Sequence, residues 1–319
     1  MLFTSIPDNF SSWNDKLVYS FGTQREEATD VTLEVLCNKA VIARKRLHGI
    51  TSASIDIAPY IRRYMSLKPR YPTTTSNLIS QLTAVAYVSV NGIESPTQTY
   101  IHAQGAASTK SDDTQRIPYG EPILLTVSHT TDFRLHITAP QKGTATPIVK
   151  EFHCRSTKTP YDIAILTSDF GPTSDTIIVT MIADGRSQQL AKYSIVAPSS
   201  NMRHLLWYNH SGGIESYTFE TSRRLSIETK VSDTPFRADG KELTTTKLHE
   251  RLYSAHETQQ TLERIASIIA SPVVYEVREG RIEPVELMTR KITFGEHSNI
   301  QQLCLDICRE LKGGEQWYG

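Results

Sequence analysis

Apolar and polar side chains alternate in short runs through most of the chain, a period that puts successive residues on opposite faces of a strand. Val31-Thr32-Leu33-Glu34-Val35-Leu36 is one such run, and Leu17-Val18-Tyr19-Ser20-Phe21, Ala40-Val41-Ile42-Ala43, Ser54-Ile55-Asp56-Ile57 and the stretch 84–90 are others. Asn91-Gly92 follows the last of these, a pair that tolerates left-handed backbone, so 99–103 is expected to return as the partner strand. One helical turn is expected over 58–64, with Pro59 near its start, where a missing N–H is no loss. The small and polar stretch 104–115 has no apolar period and reads as a linker or exposed loop.

A second β-rich block follows, with runs at 123–127, 133–137, 162–166, 176–181 and 192–196, and closes at Ala197-Pro198-Ser199-Ser200. The last part differs in character. Leu205-Leu206-Trp207-Tyr208, a glycine-supported loop at His210-Ser211-Gly212-Gly213, and Ser216-Tyr217-Thr218-Phe219 read as a hairpin. The one sustained helical period is 258–270, with Leu262, Ile265, Ile268 and Ile269 on one face and Pro272 ending it. A further hairpin is expected through Val273-Val274-Tyr275-Glu276-Val277 and 282–287, then strands at 291–294 and 303–307, with a fraying tail from Lys312. The expected fold is therefore mainly β, with two or three β-sandwich-like (Ig-like) domains and one short C-terminal helix. The expected divisions are 1–110, 111–200 and 201–319.

Length agrees with more than one ordinary β-domain, since 319 residues can bury a substantial core without metal or disulfide staples. Charge changes the picture more. The 34 basic and 34 acidic side chains cancel, which argues against a nucleic-acid partner and removes one defence against self-association. Arg44-Lys45-Arg46 and Arg62-Arg63 are the nearest thing to a basic stripe, and read as solvated strand ends and turns. The N-terminus lacks the basic and apolar regions of a secretory signal, and no window has the apolar length of a membrane span, so no membrane partner is expected.

Candidate chemistry is thin. Cys304 and Cys308 sit in an alternating run, where residues four apart on a strand are about 13 Å apart, too far for a disulfide. With Cys37 and Cys154 they read as reduced thiols, and two sulfurs without a following His make an incomplete metal site. His210-Ser211-Gly212-Gly213 has no nucleophile elbow to serve. His153 and Cys154 are neighbours on a strand and point apart. Asp112-Asp113 and Asp169-Phe170-Gly171 lack the surroundings of a metal or kinase-like site, and His249 and His256 lack a third ligand and read as solvent-exposed near the helix start. No catalytic residue, cofactor or metal is expected, and no enzyme. Trp207, Tyr208, Tyr217 and Phe219 are the candidate ligand or interface aromatics: a hairpin stabiliser first, a platform for sugar rings second.

Three segments together carry a resemblance: the opening module from Leu17-Val18-Tyr19-Ser20-Phe21 to Ile55-Asp56-Ile57-Ala58-Pro59-Tyr60-Ile61, the stretch Leu206 through Phe219, and Ile268 through Pro284-Val285. Their order resembles a group of uncharacterised multi-β-domain proteins of phages and prophages of gut Bacteroidales-type bacteria, which look like virion or tail components. The block 111–200 carries little of it. The resemblance implies a structural part of a tail, baseplate or neck, made in the host cytoplasm, located in the virion, and working as a homo-oligomer with other virion proteins. The alternative is a carbohydrate-binding or adhesin module with glycan as partner.

Overall fold

The computed structural model describes residues 1–23, 27–65, 71–79, 83–101, 114–127, 129–143, 146–156, 160–209, 212–231, 244–294 and 300–311. Asp112-Asp113, His210-Ser211, most of the stretch 104–115 and the tail from Lys312 lie outside these residues. The fold is mainly β, with several sheets, one of them a half-barrel, and two short helices.

The first stretch contains β1 (Leu2–Ser5), β2 (Val18–Gly22), β3 (Thr29–Cys37), β4 (Ala40–Ile50) and β5 (Ser52–Asp56). After α1 (Ala58–Tyr64) come β6 (Ser76–Ile79), β7 (Thr83–Val90), β8 (Ile93–Glu94) and β9 (Gln98–Ile101). The second contains β10 (Thr114–Pro118), β11 (Pro122–Val127), β12 (Phe133–Ala139), β13 (Ile148–Cys154), β14 (Tyr161–Leu166), β15 (Thr176–Ala183) and β16 (Arg186–Val196). The third contains β17 (Arg203–Tyr208), β18 (Ile214–Phe219), β19 (Thr221–Val231), β20 (Thr244–Thr258), α2 (Gln259–Ala266), β21 (Val274–Arg278), β22 (Arg281–Leu287) and β23 (Ile300–Leu311).

Alternation decides the first block. Val31, Leu33, Val35 and Cys37 of β3 are buried, as are Ala84, Ala86, Val88 and Val90 of β7. β3 lies between β4 and β7, while β1, β2 and β5 form a separate sheet. Asn91 and Gly92 make the expected turn, with φ of 49° and 80°. In α1, Pro59 lies in the first turn, and Ala58 and Ile61 enter the core. The strand that carries Arg44-Lys45-Arg46 is longer than expected, so these residues lie within β4 and not at its end.

The middle block is a two-layer sandwich. One sheet has the order β10-β16-β15-β12-β13 and the other β11-β14-β6. Ile123, Leu125, Leu135, Ile137, Ile163, Ile165, Ile177 and Val179 meet between them. β6 precedes the expected boundary at residue 110, yet it pairs with β14, so one strand of the first stretch completes a sheet of the second.

The third block is a seven-stranded half-barrel of order β18-β17-β21-β22-β23-β20-β19. The helical period expected over 258–270 is α2 followed by a 3-10 turn, Ser267–Ala270. The Thr258 hydroxyl caps α2 by accepting from the Thr261 N–H. Leu262, Ile265 and Ile268 cover Leu205, Trp207, Phe219, Leu252 and Leu305 on one face. The other face is covered as well: Leu206, Tyr208, Ile214, Tyr275 and Val277 share one core with Trp13, Leu33 and Leu124 of the earlier blocks. Strands covered on both faces read as continuous apolar runs, which is what Leu205-Leu206-Trp207-Tyr208 is.

Trp207 is fully enclosed, and its indole N–H donates to the Ser267 hydroxyl at 2.9 Å. Trp207→Ala is expected to cost about 3–5 kcal/mol, read as a lower denaturation midpoint in chemical unfolding.

Candidate functional site

The second reading of the hairpin aromatics, a platform for sugar rings, finds no surface to occupy. Trp207, Tyr208, Tyr217 and Phe219 are exposed by 1%, 2%, 4% and 0%. Tyr217 and Phe219 pack edge to face, 5.1 Å between ring centroids. The Tyr217 hydroxyl donates to Glu257 at 2.8 Å and accepts from the Ala255 N–H at 3.1 Å, and burial raises its pKa. The reading of these four as ligand aromatics is corrected: both faces of their strands are already occupied by the chain itself.

The exposed feature lies elsewhere, in β19 and β20, which the alternating pattern did not announce. β19 has eleven residues and β20 has fifteen. β19 is the last strand of its sheet, with β20 on one side and no described strand on the other. Residues 223–229 are exposed on both faces, Leu225 by 45% and Ile227 by 41%. A register shift between Arg224 and Ser226 places a bulge at Leu225. β4 is a second long edge strand, with Val41 exposed by 48%.

Side chains on one face of β20 and β23 form a polar ladder. Arg251 donates two bonds to Asp306, at 2.7 and 2.9 Å, and this guanidinium holds the Asp306 carboxyl below the usual range. Lys247 pairs with Glu286 at 3.2 Å. His249 and His256 both lie on β20, His256 exposed three residues before α2 begins, and His249 stands directly across from Cys308. The His249 Nε2 is 3.7 Å from the Cys308 sulfur and 3.8 Å from the Glu228 carboxylate. Thiol and acid thus meet the same ring nitrogen, whereas an activated nucleophile needs the acid on the opposite one to orient the base. The thiol is buried, so this trio lacks the geometry of a catalytic dyad.

The other sequence candidates resolve into structural roles. Asp169 accepts from the Thr75 N–H at 2.7 Å and from Lys150 at 2.8 Å, which ties the segment before β6 to the middle sandwich. His153 is exposed beside Glu151 on β13, while Cys154 is buried. Among the described residues no group of three or more His, Cys, Asp or Glu is arranged to hold a metal ion, and no helix is long and apolar enough to cross a membrane.

A cluster of buried charge links four strands of the half-barrel. Arg203 of β17 and Arg309 of β23 both reach Glu250 of β20, at 2.8 and 3.2 Å. The same two arginines lie 3.3 and 4.0 Å from Glu276 of β21. The short bonds hold the Glu250 carboxyl low against the opposing effect of burial. Glu276 gets only the longer contacts, so burial wins and its pKa is raised. Beside it, burial first and the Glu276 charge second push Glu121 up to about 7. These five residues come from five strands or turns far apart in the chain, and no local spacing links them.

Comparison of the sequence with protein-family models and with curated proteins finds no match to either.

Two outcomes follow from this geometry. Arg203→Met leaves two buried carboxylates with one guanidinium between them, and is expected to lose about 3–5 kcal/mol of stability. Adding Glu276→Gln is expected to recover part of that loss, measured by a double-mutant cycle in chemical denaturation. Of the four thiols, Cys304 is exposed and Cys37, Cys154 and Cys308 are buried. A colorimetric thiol reagent is expected to modify one equivalent rapidly in the native protein and the other three on unfolding, with Cys304→Ser removing the fast phase.

Proposed function

We propose that this chain is a structural subunit that acts by binding other proteins, as a component of a phage particle in its tail, baseplate or neck. The observation that carries the reading is the arm formed by β19 and β20. An isolated globular protein blunts a long edge strand, because its unpaired N–H and C=O groups recruit other chains. Here Arg223, Arg224 and Glu228 supply charge, but Leu225 and Ile227 stay exposed between them. Such an edge suits strand addition, in which main-chain hydrogen bonds give affinity and alternate side chains give specificity. The zero net charge leaves little repulsion between copies. The phage assignment itself rests on the resemblance of the three segments. The glycan reading loses the contact surface it relied on, since the four aromatics are core residues.

Light scattering across a range of concentrations tests the reading. The chain is expected to form a defined oligomer, and Leu225→Lys with Ile227→Lys is expected to shift it to monomer without lowering its thermal midpoint. A native chain that stays monomeric throughout would overturn self-assembly through the arm. An oligomer indifferent to the double variant would move the interface elsewhere.

A further inference from the structure

The turn between β10 and β11 carries an acid into a place built for none. Four hydrogen bonds fix this turn. The Glu121 N–H donates to the Pro118 carbonyl, the Gly120 N–H donates to the Thr167 hydroxyl, and that hydroxyl donates to the Glu121 carbonyl. The Tyr71 hydroxyl donates to the Gly120 carbonyl at 3.0 Å, so the segment after α1 also holds the turn. Pro122, next in the chain, lies beside the buried His204 ring of β17. The turn is thereby pinned between the middle sandwich and the half-barrel.

Within it, Glu121 Oε2 is buried and has no hydrogen-bond partner among the described residues. The charge that acts on this carboxyl is that of Glu276, and it repels. Behind Glu276 stand Arg203 from β17, Glu250 from β20, Arg309 from β23 and Arg278 from its own strand. The two guanidinium groups of Arg203 and Arg309 are already directed at Glu250 and Glu276. Tyr71 and His204, the other titratable groups against the turn, are neutral at ordinary pH: burial raises the Tyr71 phenol and holds the His204 imidazole down at about 4. Arg203 and Arg309 are thus taken up by Glu250 and Glu276, and Glu121 Oε2 is left without a hydrogen bond among the described residues; a proton on Glu121 removes that unmatched charge.

We propose that Glu121 is a proton-operated clasp between the β10–β11 turn and the half-barrel, closed when its carboxyl is protonated and loosened when it ionises. A released turn lets the carboxylate reach water, where it has the ordinary affinity of a glutamate for its proton. Closure therefore binds a proton, and is favoured at low pH. The closed state weakens as pH rises from the ordinary glutamate range toward about 7, and weakens no further above that value. Opening is expected to increase up to about tenfold per pH unit inside that window, the limit for one linked proton.

Hydrogen exchange of the whole chain between pH 4.5 and 8.5, as protection factors for the peptide spanning the turn and β11, tests the clasp. The native protein is expected to lose protection across the window, while Glu121→Gln, a permanent mimic of the protonated acid, stays protected throughout. Glu276→Gln removes the repelling charge and is expected to move the inflection to lower pH. Parallel profiles for the native protein and Glu121→Gln would overturn the proposal. So would a Glu121 carboxyl resonance titrating at the ordinary glutamate value, a measurement that stands even if a variant folds poorly.

Discussion

One sheet in this protein has to be covered on both faces at once. One face of the half-barrel takes α2, and the other packs against the core of the first block and Leu124 of the second. β17 and β18 accordingly bury residues of both parities, and every residue of β11, which lies against them, is buried. The Thr126 side chain adds a polar link across the seam: its hydroxyl accepts from the Ile214 N–H and donates in turn to Asp162. A strand enclosed in this way gains apolar burial on both sides, and loses on both when either neighbour is displaced. The middle sandwich and the half-barrel are thus mutually dependent, although each has its own apolar cluster.

Enclosure has an electrostatic consequence. Pairing of four strands in one sheet brings Arg203, Glu250, Glu276 and Arg309 together beneath the surface. Buried guanidinium and carboxylate groups contribute little net stability, since desolvation offsets their attraction, but an unmatched member is strongly destabilising. Such a network favours one arrangement of β17, β20, β21 and β23 over slipped alternatives, because a slip of one residue turns Arg203 or Glu276 to the opposite face. Arg264 of α2 repeats the pattern with Glu215 of β18, at 3.0 Å, which ties the helix to the sheet it covers.

How much of this was legible depended on whether a residue's environment was set locally. β3, β7, β12 and β15 announce themselves because one face of each is buried and the other is not, and Asn91-Gly92 announces its turn. The α2 period survives because the helix has a single covered face. Leu205-Leu206-Trp207-Tyr208 is recognisable as a strand, and its aromatics read first as hairpin stabilisers and second as a surface platform. The continuous apolar run, in place of alternation, was the available sign that both faces are covered. Along 223–229 neither face of β19 is buried, and only Leu225 and Ile227 alternate among charged and polar neighbours. β20 does bury one face, through Leu248, Glu250, Leu252 and Ser254, but two of these four are polar and hide the period. The Glu121 environment was invisible, because its neighbours are set by the packing of three blocks and not by spacing along the chain.

The arm remains the part of the molecule that its own fold explains least. Along 223–229, β19 is joined to the body through backbone bonds to β20, with almost no apolar burial of its own. Exposed ion pairs such as Arg251 with Asp306 add little, because solvent screens them and ordering the side chains costs entropy. A strand so weakly supported acquires burial when another chain lies against it. The bulge at Leu225 bears on which chain that is. A regular edge accepts any extended partner and propagates without limit, whereas a bulge interrupts the outer row of hydrogen bonds and twists the strand locally. Placing Leu225 at that interruption, with Ile227 two residues on, favours a partner whose shape fits the irregularity. The subunit role proposed above requires an edge of this kind, one that closes into a defined contact.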